Sequence, residues 1–213
     1  MSDFSHPTHS NFLLLTGSYD KLRSILHPFR LGLNSQYDDQ LIENLKQGDS
    51  AAFEELYHRF KRMIYTFCLK LTGERFAAED ATHDTFLKMH QNIESLSNPS
   101  MFKSWLYAIA RNQVYKNLKK ERRNGSVDAD TVWSSETPHS LAEASDTSSI
   151  VNRCIDALKP EYKEVLILRE YEQYSYTEIS TITGDSESSV KSRLFKARKA
   201  LAEKLGPYFG GQP

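Results

Sequence analysis

The residues whose types and spacing could do chemistry on a partner cluster in three places. From Tyr174 to Leu201 the chain reads YSYTEISTITGDSESSVKSRLFKARKAL. Within it Ser188 and Ser192 stand four apart, flanked by Ser189, Lys191, Arg193, Lys196 and Lys199. Short hydroxyl side chains near the start of a helix can approach base edges in a major groove, while cations hold phosphates. Upstream, Trp105, Tyr107, Arg111, Asn112, Tyr115, Lys116 and Lys119 alternate aromatic and cationic groups, which is the chemistry of stacking on bases and tracking a backbone. Between Arg75 and Asn92, Asp80, His83, Asp84, Leu87 and Lys88 fall at i, i+3, i+4, i+7 and i+8, one helical face with an apolar anchor among charges.

These groups need helices to hold them. In the C-terminal stretch Ser175 and Glu178 form a capping box, and Tyr176, Ile179 and Ile182 recur at helical spacing. Gly184 can end that helix in the left-handed conformation, and Asp185 or Ser186 can cap the next. Val190, Leu194, Ala197 and Leu201 then make one buried stripe. The spacing predicts a helix-turn-helix. Its companions are a segment resuming at Ile150 and a helix started by Pro160, with Gly206 and Pro207 ending the fold.

Further upstream, Asp38 or Asp39 can cap a helix through Lys46, stopped by Gly48. Asp49 caps a second, in which Phe53, Leu56, Tyr57, Phe60, Ile64, Phe67 and Leu71 step by three and four. Thr72 and Gly73 stop it. A third helix, Arg75 to Asn92, turns Ala78, Thr82, Thr85, Met89 and Ile93 inward. Ser95 to Ser100 reads as a loop with Asn98 and Pro99, and Ser100 as the cap of a fourth helix running to Arg123. That helix buries Phe102, Leu106, Ile109, Ala110 and Val114. No strand-like alternation appears, so the fold class is all-α. Two small helical domains are expected, 37–123 and 150–207, joined by a flexible acidic linker at 124–149. A flexible extension at 1–36 and a tail at 208–213 complete the chain.

Composition supports this division. The 213 residues carry a net charge of −1, so bulk charge does not advertise a nucleic-acid partner. The distribution does. KNLKKERR, from Lys116 to Arg123, holds five cations against one acid, and Asn124 to Ser149 holds five acids and no Lys or Arg. That polar stretch cannot bury enough apolar surface to offset its chain entropy. Two cysteines without a CxxC spacing fit structural packing in a reducing compartment. No apolar run approaches a membrane span, so no stable membrane insertion and a cytoplasmic location are expected.

With both modules in view, the chain resembles the extracytoplasmic-function (ECF) sigma factors of the sigma-70 family. The resemblance rests on an ordered set: Gly48-Asp49, Ala52-Phe53, Leu56-Tyr57, then Leu71-Thr72-Gly73, then Ala78-Glu79-Asp80 with Asp84, Phe86, Leu87 and Lys88. Trp105-Leu106-Tyr107 and Ile109-Ala110-Arg111-Asn112 follow. The second domain matches at Leu158, Pro160, Glu164-Val165-Leu166 and Leu168-Arg169-Glu170, and closes with Val190 to Leu194 and Ala197-Arg198. The set covers about Tyr37 to Leu205, the linker excepted. Two positions depart from the pattern: His83 stands where glutamine is usual, and Glu187 where a small or apolar residue is usual.

The resemblance implies a dissociable promoter-specificity subunit of bacterial core RNA polymerase, one that binds promoter DNA and in some cases an anti-sigma factor. It implies polymerase docking through Asp80, His83, Asp84, Leu87 and Lys88. Recognition and opening of the −10 element would fall to Ser95, Asn98, Arg111, Asn112, Tyr115, Lys116 and Lys119. The −35 element would be read through Arg169, Ser188, Ser189, Lys191, Ser192, Arg193 and Lys196. The acidic linker could follow the polymerase's nucleic-acid channel as a phosphate mimic. Two other classes compete. A helix-turn-helix regulator acting without polymerase would leave the acidic face and the basic-aromatic helix without a task. An HD-type metal phosphohydrolase would use His58, His83 and Asp84, but His58 lies off the apolar stripe and no further Asp presents itself on a neighbouring helix. No cofactor, metal or enzymatic activity is therefore expected.

Overall fold

A computed structural model describes residues 35–123 and 146–209. Every described element is helical. α1 (Ser35–Lys46) leads into α2 (Ser50–Thr72) and α3 (Arg75–Asn92). Two 3₁₀ turns, Ile93–Ser95 and Pro99–Met101, precede α4 (Phe102–Arg123). The second group comprises α5 (Asp146–Asp156), α6 (Pro160–Leu166) with a π-helical turn at Ile167–Tyr171, α7 (Tyr176–Thr183) and α8 (Glu187–Phe209). The expected extension at 1–36 and linker at 124–149 lie outside the described residues, except at their inner ends. There Ser35 and Gln36 already belong to α1, and Asp146 to Ser149 to α5.

Local signals set most helix ends. Asp49 accepts a hydrogen bond from the Ala51 amide at 2.8 Å and caps α2. Gly73, at φ 71°, closes that helix through its own amide to the Leu69 carbonyl. Other ends differ from expectation. Asp38 lies inside α1 and pairs with Arg59 of α2, because α1 begins before it. Asn98, not Ser100, caps the turn before α4: its Oδ1 accepts from the Ser100 amide at 3.0 Å and the Ser100 hydroxyl at 2.9 Å. Helix α8 runs through Gly206 and Pro207 to Phe209. Pro207 removes only the bond to the Glu203 carbonyl in the last turns, where Glu203 is exposed and water can replace it.

The first core forms where α2, α3 and α4 converge. Leu56, Phe60, Ile64 and Phe67 pack with Ala78, Ala81, Phe86 and Met89 and with Leu106, Ala110 and Val114, all buried. Each large side chain contributes about 1.5–3 kcal/mol by leaving water. Ile109 is only half-buried, and Tyr107, grouped above with the exposed aromatic and cationic residues, is fully buried. Its ring lies 4.9 Å from Phe67. The second core joins Val151, Ile155, Val165, Leu166 and Leu168 to Ile179, Ile182, Val190, Leu194, Ala197 and Leu201.

The two groups pack together through α4 and α7, and through α2 and α6. Tyr107 and Tyr174 meet edge to face at 5.2 Å, and the Tyr107 hydroxyl donates to Glu172. Lys70 of α2 lies 3.8 Å over the Tyr171 ring, and Lys103 of α4 lies 5.0 Å over Tyr174.

Candidate nucleic-acid and protein interface

The helix-turn-helix is built as its spacing predicts. The Ser175 hydroxyl accepts from the Glu178 amide at 3.2 Å, and the Glu178 carboxylate accepts from the Ser175 amide at 2.7 Å. Gly184 takes φ 74° and donates to the Ser180 carbonyl. Ser186 caps α8 by accepting from the Ser189 amide at 3.3 Å. Ser180 closes the turn by donating to the Asp185 carbonyl at 2.5 Å. With Ile179 and Ile182 of α7 and Val190 and Leu194 of α8 all buried in the core, the outer face of α8 is fixed.

That face holds Ser188, Ser192, Phe195 and Lys199 at i, i+4, i+7 and i+11, directly opposite the buried stripe, and all four are exposed. Lys191 and Lys196 flank them and are exposed as well. Ser189 is half-buried at its edge. Phe195, 67% exposed, is a functional candidate that the hydroxyl-and-cation reasoning passed over. Its signal was an aromatic ring on the polar side of an amphipathic helix, where an apolar contact to a thymine methyl would be made.

Several members of this set have local partners, Ser188 through the Ser186 hydroxyl at 3.0 Å and Lys191 through Glu187. The two terminal guanidinium nitrogens of Arg193 donate to Asp185, at 2.5 and 2.9 Å, which ties α8 to the turn before it. Arg169 donates to the Tyr174 carbonyl at 2.7 Å and lies over the Tyr176 ring at 5.0 Å. Glu187, the departure from the family pattern, accepts from the Thr177 hydroxyl at 2.6 Å and from Lys191 at 3.4 Å. The Thr177 bond and then Lys191 hold its carboxyl below the usual range, and it bridges α7 to α8.

On the first group, Asn112, Lys116 and Lys119 of α4 are exposed, and Ser95 and Asn98 stand exposed in the loop before it. Ser95 donates to the Asn92 carbonyl at 2.7 Å. Arg111 and Tyr115 are partly covered. The Arg111 guanidinium stacks 4.8 Å over the Tyr115 ring, and both residues donate to Glu164 of α6, Tyr115 at 3.2 Å. Glu164 is 1% exposed, and burial pushes its carboxyl above the usual range against the pull of Arg111.

The outward face of α3 presents Asp80, His83, Leu87 and Lys88 to solvent, with Asp84 half-buried at its edge. Leu87 is 45% exposed. Phe76, 74% exposed, extends the same stripe one turn toward the N-terminus, at i, i+4, i+7 and i+11 with Asp80, His83 and Leu87. Beside this stripe Tyr57, Lys61, Tyr65, Arg75, Glu79 and His83 line an open groove of about 430 Å³. Among the described residues no group of three His, Cys, Asp or Glu side chains converges as a metal site. Nor is any described helix long and apolar enough to cross a membrane.

Two family models fall on these same helices. Sigma-70 region 2 matches residues 56–124, and Sigma-70 region 4 matches residues 148–201. Together they take in more than half of the chain. The chain belongs to the sigma-70 family, as an ECF sigma factor. The α3 face and α4 thus lie in region 2, and the helix-turn-helix in region 4. Among its relatives, the RNA polymerase sigma-H factor of Pseudomonas aeruginosa is 27% identical over 187 residues, covering 82% of this chain and 97% of that protein. The ECF sigma factor SigW of Bacillus subtilis is 27% identical, covering 77% and 94%. The ECF sigma-E factor of Escherichia coli is 28% identical, covering 82% and 98%. Among solved structures, the sigma factor RpoE in complex with the anti-sigma factor NepR from Bartonella quintana superposes with a TM-score of 0.61 at 25% identity. It covers 72% of this chain and 96% of that one. CnrH, solved with the cytosolic domain of CnrY, shares the fold, with a TM-score of 0.60 at 20% identity and coverage of 80% and 98%.

Proposed function

We propose that this ECF sigma factor acts in the cytoplasm by bringing bacterial core RNA polymerase to promoters, the second helical domain reading the −35 element and the first opening the −10 element. The observation that carries this reading is the pairing, on one chain, of a region 2 match whose α3 face exposes Leu87 among charges with a region 4 match whose α8 exposes hydroxyls between cations. The two domains would span 37–123 and 150–207. The polymerase would dock on Asp80, His83, Asp84, Leu87 and Lys88, with Phe76 as a further apolar anchor.

In the −35 duplex, Ser188 and Ser192 would face base edges, Phe195 a thymine methyl, and Lys191 and Lys196 phosphates. Arg193, Arg169 and Ser189 would act mainly by holding α8 and its turn in place. At the −10 element, Ser95 and Asn98 would rim the pocket for an unstacked base. Arg111, Asn112, Tyr115, Lys116 and Lys119 would hold the strand. Two weak contacts on one chain gain from effective concentration. An anti-sigma factor is a further partner, supported by the fold shared with RpoE of the NepR complex. No part of this reading calls for catalysis by the chain itself.

In vitro transcription with core polymerase on a genomic promoter pool tests it. Transcripts from a defined promoter subset that vanish when this chain is omitted are expected. Binding to duplex DNA without any association with core polymerase would instead identify a regulator that acts alone.

A further inference from the structure

An acid stands at the head of the helix proposed to enter duplex DNA. Glu187 is the first residue of α8, directly before Ser188. The start of such a helix is the part that approaches base edges. The i, i+4 spacing puts Glu187 and Lys191 on one edge of the exposed stripe, the edge that borders Thr177 of α7. The carboxylate is held from two sides. Oε1 accepts from the Thr177 hydroxyl at 2.6 Å, and Oε2 accepts from Lys191 Nζ at 3.4 Å. An ionised carboxylate has about four acceptor sites, so these two bonds leave room for more. The side chain keeps 42% of its exposure, so that room faces solvent. A helix N-terminus favours an acid in its first turn, but that preference does not call for a bond to a neighbouring helix. The Thr177 bond gives the carboxylate a fixed aim, and Lys191 beside it offsets its repulsion from phosphates.

We propose that Glu187 is a specificity-determining residue, which selects a cytosine in the −35 duplex by accepting a hydrogen bond from its N4 amino group. This rests on the assignment of α8 to the −35 element. The choice of base follows from what each presents in the major groove. Guanine shows only the acceptors N7 and O6, and thymine an acceptor and a methyl group, so both repel or ignore a carboxylate. Adenine sets its N6 donor beside the N7 acceptor. Cytosine alone shows a donor with no acceptor on the same base. Thr177 is then a positioning residue, which aims Glu187 from α7 without touching DNA. Lys191 keeps its phosphate contact and stands next to the acid that it partly neutralises. The position at which this chain departs from the family pattern thus becomes a position at which its promoters differ.

Transcription by core polymerase carrying the full chain tests this, on a barcoded promoter library randomised across the −35 element, with the transcripts sequenced. The wild type should favour cytosine at one position. Glu187→Ala should lower that preference about tenfold and leave the other positions as they are. Glu187→Gln should move the preference there toward adenine, because a glutamine amide pairs with N6 and N7 together. Thr177→Val removes the anchor and should weaken the cytosine preference without changing the favoured base. Thermal unfolding confirms that each variant folds; Glu187→Gln, which keeps the shape of the side chain, carries the test if Glu187→Ala does not fold. A merely structural Glu187 would lower output from all promoters alike, and a sequence profile unchanged in both Glu187 variants overturns the proposal. The wild-type profile separates the two layers. If it shows base preferences that the Glu187 variants retain, only the role of Glu187 is wrong. If it is flat across the −35 element, α8 does not read that element, and the role of Glu187 falls with it.

Discussion

Arg193 holds two incompatible assignments, and one experiment separates them. Its position on α8 suits a phosphate contact, yet its guanidinium forms a bidentate pair with Asp185 at 2.5 and 2.9 Å. The two side chains retain 27% and 25% of their exposure, so the pair is neither dry nor fully solvated. Hydrogen bonds to charged groups contribute about 1.5–3 kcal/mol when protected, and exposed ion pairs about 0.2–1 kcal/mol. A coupling of about 1 kcal/mol is expected at this intermediate exposure. In a domain of this size that corresponds to about 4–8 °C in Tm. Thermal unfolding of the wild type, Asp185→Ala, Arg193→Ala and the double variant closes the cycle and isolates the pair. Duplex binding by Arg193→Ala should weaken through misplacement of α8, with the salt dependence unchanged. Coupling near zero, together with a salt slope lowered by about one unit, would refute the reasoning. It would mean that Arg193 leaves Asp185 for a phosphate.

Three further outcomes follow from other surfaces. Burial against the second domain pushes the Lys70 ammonium down to about 8, in spite of Asp156 and Glu172 and together with Lys163. Between that value and the ordinary one of roughly 10.4, the unfolded chain holds the extra proton. Stability should therefore rise with pH across that window, by at most about 3 kcal/mol, and a Tm–pH profile of Lys70→Met should lack the rise. Leu87→Ala should weaken binding to core polymerase about tenfold or more in a titration by fluorescence anisotropy, with Tm nearly unchanged because the side chain is 45% exposed; unaltered affinity would exclude this face. On a −35 variant library, Ser192→Ala should alter preference at one position by about 1–3 kcal/mol, whereas Lys196→Ala should lower all affinities alike and reduce the salt slope by about one unit.

The parts legible in the sequence are those decided within a few residues. The Ser175–Glu178 capping box, Gly73 and Gly184 at positive φ and the stripe from Val190 to Leu201 follow from short-range chemistry. So do the bounds of α3 at Arg75 and Asn92. Where expectation and structure part, a partner distant in the chain decides. Asp38 is an acceptable cap by type, but Arg59 draws it into a side-chain pair inside α1. Tyr107 reads as one of an alternating set of aromatic and cationic residues, yet Phe67 and Tyr174 enclose it from both sides. Arg193 reads as a free cation because Asp185, eight residues earlier, reads equally well as a cap. The turn has two candidate caps, Ser186 takes that task, and Asp185 is left to bind Arg193.

The junction between the domains is the extreme case. Nothing near Arg111 in the sequence announces Glu164, which lies 53 residues away across a stretch rich in acids of its own. The same side chains qualify for strand binding and for domain packing because both tasks ask for a cation over an aromatic ring, ready to meet an anion. Their chemistry specifies the kind of partner, and only the hydrogen bonds of Arg111 and Tyr115 to Glu164 identify which anion is present in the free chain. The basic-aromatic pattern on α4 therefore points to an anionic partner and is silent about whether that partner is nucleic acid or the chain's own second domain.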